Sequence, residues 1–255
     1  MTTAPKAIIF DLDGTLTVSK SPLTKEVSGA LARLLRAMSV AVMSGGSYAQ
    51  FQKQFLSGMP SDAPYKNLYL FPTSAAQCYE WREGDWKLVY QNLFTPEERA
   101  KVLRALTEAL RETGLDNPPQ RWGEQIEDRG SQITWSALGQ QAPVEIKTAW
   151  DPDRKKRAPF QRALLKRLPD FSVRVNATSS IDITRPGITK AYGIRQLSDI
   201  LHVPIGEMLY VGDALFPGGN DEIVKETGIE TRSVTGPDET IEVIEKVIAE
   251  ADGED

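Results

Sequence analysis

The sequence predicts an α/β protein: a three-layer α/β/α core built on a parallel sheet, with a smaller α+β module inserted into it. Three observations predict this. Short apolar runs of strand length alternate with amphipathic stretches at both ends of the chain. All five tryptophans, Trp81, Trp86, Trp122, Trp135 and Trp150, fall in the stretch between. The first apolar run ends in two closely spaced acids, where a parallel sheet builds its ligand crevice. At 255 residues the chain is long enough for two cores.

Taken in order, Ala7-Ile-Ile-Phe10 reads as a buried strand, because it has no polar residue for a solvated face. Val27, Leu31, Leu34, Leu35 and Met38 recur at helical spacing, and Val40-Ala-Val-Met43 supplies the next strand of a βαβ unit. Within the inserted module, Gly84-Asp85 between two strand-like runs marks a hairpin at Trp81 to Trp86. Thr95-Pro96-Glu97-Glu98 is a capping box with Pro at N1, and it opens a helix whose stripe Val102, Leu103, Leu106 and Leu110 stops at Gly114. Extended pieces follow around Gln132 to Leu138. A second helix is predicted to open at Asp151-Pro152, with Phe160, Leu164 and Leu168 on one face, before strands at Phe171 to Val175 and Ile181 to Ile183. The module is therefore expected to be an antiparallel sheet with helices on one face. The alternation then resumes with a helix over Ala191 to Leu201, a strand at Met208-Leu-Tyr-Val211, and Ile241, Ile244, Val247 and Ile248 at helical spacing. Glu250 to Asp255 is expected to fray.

Composition removes several classes of function. Thirty Lys+Arg against 35 Asp+Glu give a net charge of −5, which disfavours nucleic acid and anionic membrane surfaces as partners. Cys78 is the single cysteine and His202 the single histidine, so an internal disulfide and a Cys/His zinc set are excluded. His202 lies in Leu-His-Val-Pro, a loop context, and lacks the oriented partners that a nucleophile's base requires. Ala7 to Phe10 is too short for a signal-peptide core or a membrane span, so the expected location is cytoplasmic.

The chemistry lies at the strand ends. Asp11-Leu-Asp13-Gly14-Thr15 places two carboxylates one residue apart. Asp-Gly alone is ordinary turn chemistry, but Asp, Asp, Gly and Thr at fixed offsets arise by chance at only about 10⁻⁵ per starting position. Two carboxylates in one crevice raise each other's pKa unless a cation neutralises them, which points to a hard divalent ion such as Mg²⁺. Val211-Gly212-Asp213 offers a third acid at the end of another apolar strand, and Gly218-Gly219-Asn220-Asp221 a further one on a loop that would by itself read as a plain turn. Ser44-Gly45-Gly46-Ser47 and Lys190 suit an anion: glycines let backbone N–H groups approach an oxyanion, a hydroxyl donates, and an ammonium adds charge at a helix start.

These pieces in this order, DLDGTLT, SGGS, a Lys and GDALFPGGND, resemble the haloacid dehalogenase superfamily of phosphotransferases. The insertion, the Gly-Gly-Asn-Asp loop and Ser233-Val-Thr-Gly-Pro-Asp-Glu-Thr240 are similar to the eukaryotic-type phosphomannomutases. The resemblance implies a Rossmannoid catalytic core over residues 1–83 and 187–255, an α+β cap of type IIB over 84–186, and a homodimer through the cap. It implies that Asp11 is the phosphoryl-accepting nucleophile and Asp13 the general acid/base. Asp11, the Asp13 carbonyl and Asp213 would hold Mg²⁺, with Asn220 and Asp221 in support, while Lys190 and Ser44, or Ser47 in its place, screen the phosphoryl charge. Gly45 and Gly46 would bind the phosphoryl group, and Arg129, Gln140, Lys147, Ser180 and Asp182 the substrate.

At two positions the chain departs from the family: Gln140 and Lys147 stand where the family carries phosphate-binding arginines, and neither reproduces a bidentate guanidinium fork. The first reading is therefore an Mg²⁺-dependent phosphatase of a small phosphorylated metabolite, a sugar phosphate foremost, acting through phospho-Asp11. The alternative is a phosphohexomutase interconverting mannose 6-phosphate and mannose 1-phosphate, and the third a catalytically silent phosphosugar-binding module.

Overall fold

β1 (Ala7–Asp11) is buried at every position, and alternate side chains enter opposite layers. Ile8 and Phe10 pack in one core with α1 (Lys25–Ala37), whereas Ala7 and Ile9 pack in a second core with Ile194 and Leu197. Such a strand needs helices on both faces of its sheet. A computed structural model describes residues 4–18, 21–115, 120–176 and 179–253. Thr24 caps α1, its side chain accepting from the Val27 N–H at 3.3 Å, and Val27, Leu31, Leu34 and Leu35 face the core. There follow β2 (Ser39–Met43), α2 (Tyr48–Gln54), β3 (Leu68–Phe71), the single turn α3 (Pro72–Ala75), and the hairpin β4 (Gln77–Arg82) and β5 (Asp85–Gln91).

The chain then forms a second unit, Asn92–Gly187. It contains α4 (Pro96–Thr113), β6 (Ile126–Asp128), β7 (Gln132–Ser136), α5 (Val144–Trp150), α6 (Arg157–Arg167), β8 (Ser172–Asn176) and β9 (Ser180–Thr184). Its sheet has the order β6-β7-β9-β8 and every pairing is antiparallel. Trp135, Ile133, Ile181 and Ile183 on the sheet meet Leu106, Phe160 and Leu164 from α4 and α6. The predicted capping box is present at Thr95 and Glu98, and Gly114 ends α4 in the left-handed conformation.

The first unit is completed by α7 (Lys190–Leu201), β10 (Met208–Gly212), β11 (Glu230–Ser233) and α8 (Pro237–Asp252). Its seven strands run β11-β10-β1-β2-β3-β4-β5, parallel from β11 to β3, with β4 and β5 antiparallel. The Rossmannoid core and the inserted α+β unit are thus both present. Among the described residues no helix is long and apolar enough to cross a membrane.

Three expectations are corrected, and one helix is added to them. The boundary set at residue 83/84 moves to Gln91/Asn92, because β4 and β5 extend the main sheet instead of joining the inserted one. Trp81 and Trp86 accordingly pack on Tyr65, at ring distances of 5.1 and 5.9 Å. The helix expected from Asp151 begins at Arg157; Asp151 folds back so that its carboxylate accepts from the Lys156 and Arg157 N–H groups at 2.9 and 3.2 Å. α5 was not legible because its pattern is inverted, with Val144 and Ile146 exposed and Lys147 buried. α8 stays helical to Asp252, so fraying does not begin at Glu250; residues 254 and 255 lie outside the described residues.

Candidate active site

The C-terminal ends of β2, β1 and β10 lie side by side, since β1 pairs in parallel with both neighbours. β1 ends on Asp11, β2 is followed by Ser44, and β10 is followed by Asp213. This is the point where the strand order reverses, and crevices open there in such sheets.

α7 starts at Lys190, with Thr189 as its cap. Lys190 is buried, and its Nζ donates to Asp11 Oδ1 and to Asp221 Oδ1. Asp221 also takes the Tyr210 hydroxyl at 2.7 Å and the Ala214 N–H at 3.2 Å, so three protein donors hold it. The loop that returns Asp221 to this position depends on Gly219, where a Cβ would lie 2.0 Å from the Ala214 carbonyl oxygen. Asn220, one residue earlier, is exposed. Gly14 has φ +92°, and a Cβ on it would lie 2.5 Å from Asp213 Oδ2, so the Asp213 carboxylate is lodged against the Asp13–Gly14 turn.

Asp11, Asp213 and Asp221 each present an oxygen within 4.8 Å of the others. Three carboxylates face one ammonium, and the cluster carries excess negative charge. Burial is the main cause that pushes the Asp11 carboxyl up to about 8, with Lys190 pulling it down and Asp221 and Asp213 adding to the rise. Burial and then Asp221 raise Asp213 as well. Burial opposes the charge on Lys190, but Asp11, Asp221 and Tyr210 together outweigh it, and the ammonium titrates well above the usual lysine range. An all-oxygen donor set with surplus carboxylate fits a hard divalent cation, and Asp11 and Asp213, less engaged than Asp221, would be its ligands.

On the anion side, Ser44 is buried and its Oγ accepts from the Gly46 N–H at 3.0 Å, while Ser47 Oγ caps α2 through the Gln50 N–H at 3.3 Å. The loop is held from behind by α3. The Ser74 N–H donates to the Ser44 carbonyl at 2.9 Å and the Thr73 N–H to the Gly46 carbonyl at 2.8 Å. Because C=O and the following N–H point oppositely across a trans peptide, this clasp aims the Gly45 and Ser47 N–H groups away from α3. The clasp is strained: Thr73, Ser74 and Ala75 have φ of 52, 55 and 68°, each costing a non-glycine residue about 1–2 kcal/mol. No glycine marks it in the sequence, so pattern reading missed it. Tyr210 was hidden in the same way, as one aromatic in an apolar strand.

In the second unit, alternation puts Thr134 and Ser136 of β7 and Ser180 and Asp182 of β9 on the sheet face opposite Ile133, Trp135, Ile181 and Ile183. Thr134 Oγ1 donates to Asp182 Oδ1 at 2.8 Å. Arg129 follows β6 and its guanidinium pairs with Glu127 at 2.7 Å. The structure brings Gln140 and Lys147 together, the Lys147 Nζ donating to the Gln140 carbonyl at 2.9 Å.

A Rossmannoid sheet carrying DLDGT at the end of its first strand, with a lysine and two further acids converging on that aspartate, defines a member of the haloacid dehalogenase superfamily. The solved structures agree on the fold. A haloacid dehalogenase-like hydrolase from Bacteroides thetaiotaomicron superposes with TM-score 0.64 at 17% identity, over 95% of this chain and 99% of that one. IMP-bound IMP-nucleotidase from Plasmodium falciparum gives 0.69 at 15% identity, over 96% and 68%. More narrowly, the chain belongs to the eukaryotic phosphomannomutase family, whose sequence profile matches residues 27–250. It is 25% identical to the phosphomannomutase of Saccharomyces cerevisiae over 243 residues, 93% of this chain and 92% of that protein. It is 26% identical to that of Schizosaccharomyces pombe over 254 residues, 95% of each. The chain is therefore an enzyme of this superfamily, and its family favours the mutase reading that the sequence placed second.

Proposed function

We propose that this protein moves a phosphoryl group between hydroxyls of a hexose phosphate, a phosphomannomutase-type reaction dependent on Mg²⁺. The observation that carries it is the buried convergence of Lys190, Asp213 and Asp221 on Asp11, in a chain matching the phosphomannomutase profile over residues 27–250. The Asp11 carboxylate attacks phosphorus, the bridging P–O bond breaks with its electron pair on the sugar oxygen, and that oxygen takes the proton of Asp13. Lys190, the Ser44 hydroxyl and the N–H groups of Gly45 and Ser47 stabilise the charge on the equatorial oxygens. Mg²⁺, when bound, supplies the charge neutralisation that lets phosphate approach so acidic a cluster. In the second step another hydroxyl of the bound sugar gives its proton to Asp13 and attacks phosphorus, and the Asp11–phosphorus bond breaks with its electron pair returning to the carboxylate. Arg129, Gln140, Lys147, Ser180 and Asp182 are the proposed substrate contacts.

Removal of the cation is expected to silence transfer. With EDTA, turnover should fall to background, and Mg²⁺ should restore it together with a higher melting temperature, as for any ligand that binds only the folded state. Activity that survives chelation would remove the metal from the reaction.

A second reading, hydrolysis, is favoured by Gln140 and Lys147. Lys147 has already committed a donor to the Gln140 carbonyl, and neither side chain offers the paired donors that hold a distal phosphate while the other end reacts. Phosphorus NMR decides between the two readings. With mannose 1-phosphate and a hexose 1,6-bisphosphate activator, mannose 6-phosphate is expected as the main product; free phosphate as the main product would establish the hydrolase. Gln140→Arg should raise the ratio of isomer to free phosphate by roughly 10-fold, the worth of one charged hydrogen-bonding contact.

A further inference from the structure

We propose that Gln54 is the positioning residue for the Asp13 carboxyl, fixing which of its oxygens carries the transferred proton. Gln54 is the last residue of α2 and is buried. Its Nε2 donates to Asp13 Oδ1 and to Thr17 Oγ1, both at 2.8 Å, and its own side-chain oxygen accepts from Gln50 Nε2 at 3.0 Å. Both amide hydrogens and the amide oxygen are therefore engaged. Turning the amide over would set its oxygen against a carboxylate and its NH₂ against another NH₂ donor, so the network fixes its orientation. Thr17 is fixed in turn, because its hydroxyl donates to the Leu12 carbonyl at 3.3 Å.

The carbonyl oxygen of a protonated carboxyl is a better acceptor than its hydroxyl oxygen, so the Gln54 N–H favours Oδ1 as the carbonyl oxygen. The proton is thereby assigned to Asp13 Oδ2, the atom that gives it to the leaving sugar oxygen as the Asp11–phosphorus bond forms and the bridging bond breaks. α2 adds a second constraint. It begins directly after Ser47, the end of the anion loop, and ends on Gln54. Its seven residues form a strut of roughly 10 Å between the group that grips phosphate and the group that holds the acid. A lengthwise shift of α2 would move both together.

The inference rests on the reading of Asp13 as the general acid/base, and its test separates the two. An acid matters for an alkyl leaving group, which departs as a strong base, and little for an aryl one, which departs as a stable phenolate. The measurement is the rate of phospho-Asp11 formation by rapid quench, in the full chain with Mg²⁺, from glucose 1,6-bisphosphate and from p-nitrophenyl phosphate. Gln54→Met keeps the volume and removes the donor. It should slow the alkyl donor by about 10- to 100-fold, part of the range attributed to acid catalysis, and the aryl donor far less. Asp13→Ala should show the same selectivity, and the double variant no more than Asp13→Ala alone. Should Gln54→Met fail to fold, Gln54→Leu, apolar and without a donor, should give the same pattern. Equal slowing of both donors, or of neither, in the Gln54 variants while Asp13→Ala stays selective overturns this inference alone. Unselective slowing in Asp13→Ala overturns the acid/base reading and the inference with it.

Discussion

Asp11→Asn is expected to abolish phosphoryl transfer while leaving a protein that melts no lower than the parent in metal-free buffer. The amide is no nucleophile, and losses on removing a nucleophile run to roughly 10⁴-fold or more. Stability follows from burial. Since burial pushes the Asp11 carboxyl up to about 8, the folded chain retains a proton that the unfolded chain has lost at a lower pH. Stability linked to this group is complete below the ordinary carboxyl range and drains away as pH rises through about 8. Asparagine is neutral throughout and lacks that loss. In chelator, the melting temperature of the variant relative to the parent should therefore climb between pH 5 and pH 8.5, and Mg²⁺ should stabilise the variant less. Residual turnover within about 10-fold of the parent would contradict the nucleophile assignment. A variant that fell progressively below the parent as pH rose would contradict the burial argument.

The fold was legible where one interaction dominates. β1 and β10 are buried on both faces and therefore contain almost nothing polar, and α4 announces itself because Thr95, Glu98 and Gly114 have local jobs that do not depend on the rest of the molecule. The acidic cluster was legible because Asp11 and Asp213 sit at strand ends, where apolar runs stop abruptly. What stayed hidden depends on partners distant in sequence. β11, Glu230-Thr-Arg-Ser233, is a polar edge strand that looks like loop until β10 is beside it. Lys147 is buried on a helix whose Val144 and Ile146 are exposed, so periodicity argued against α5. The left-handed turn at Thr73 to Ala75 persists because the loop after β2 accepts its N–H groups and α7 packs on it, a Cβ at Gly193 lying 2.5 Å from that of Ala75. Gln54 carries no motif at all, and only its distance to Asp13 gives it meaning.

Lys190→Met is expected to damage both the fold and the reaction, and the two losses should respond differently to a second change. Lys190 is the ammonium bonded to both Asp11 and Asp221, which are themselves buried. Removing one partner of a buried ion pair leaves uncompensated charge and costs about 3–5 kcal/mol. At roughly 2–4 °C per kcal/mol for a chain of this size, the melting temperature in chelator should drop by about 6–20 °C. Turnover should fall by about 10³-fold, as when a charge stabilising a transferring phosphoryl group is withdrawn. If the instability comes from stranded carboxylates, neutralising one of them should relieve it. The double variant Asp221→Asn, Lys190→Met should then melt above Lys190→Met alone, with a coupling of about 0.5–3 kcal/mol. Mg²⁺ should likewise narrow the gap in melting temperature between Lys190→Met and the parent, because it supplies positive charge to the same oxygens, yet it should not restore transfer. A double variant that melts at or below the single one would mean that Lys190 contributes packing and not charge, and the electrostatic account of the cluster would fall with it.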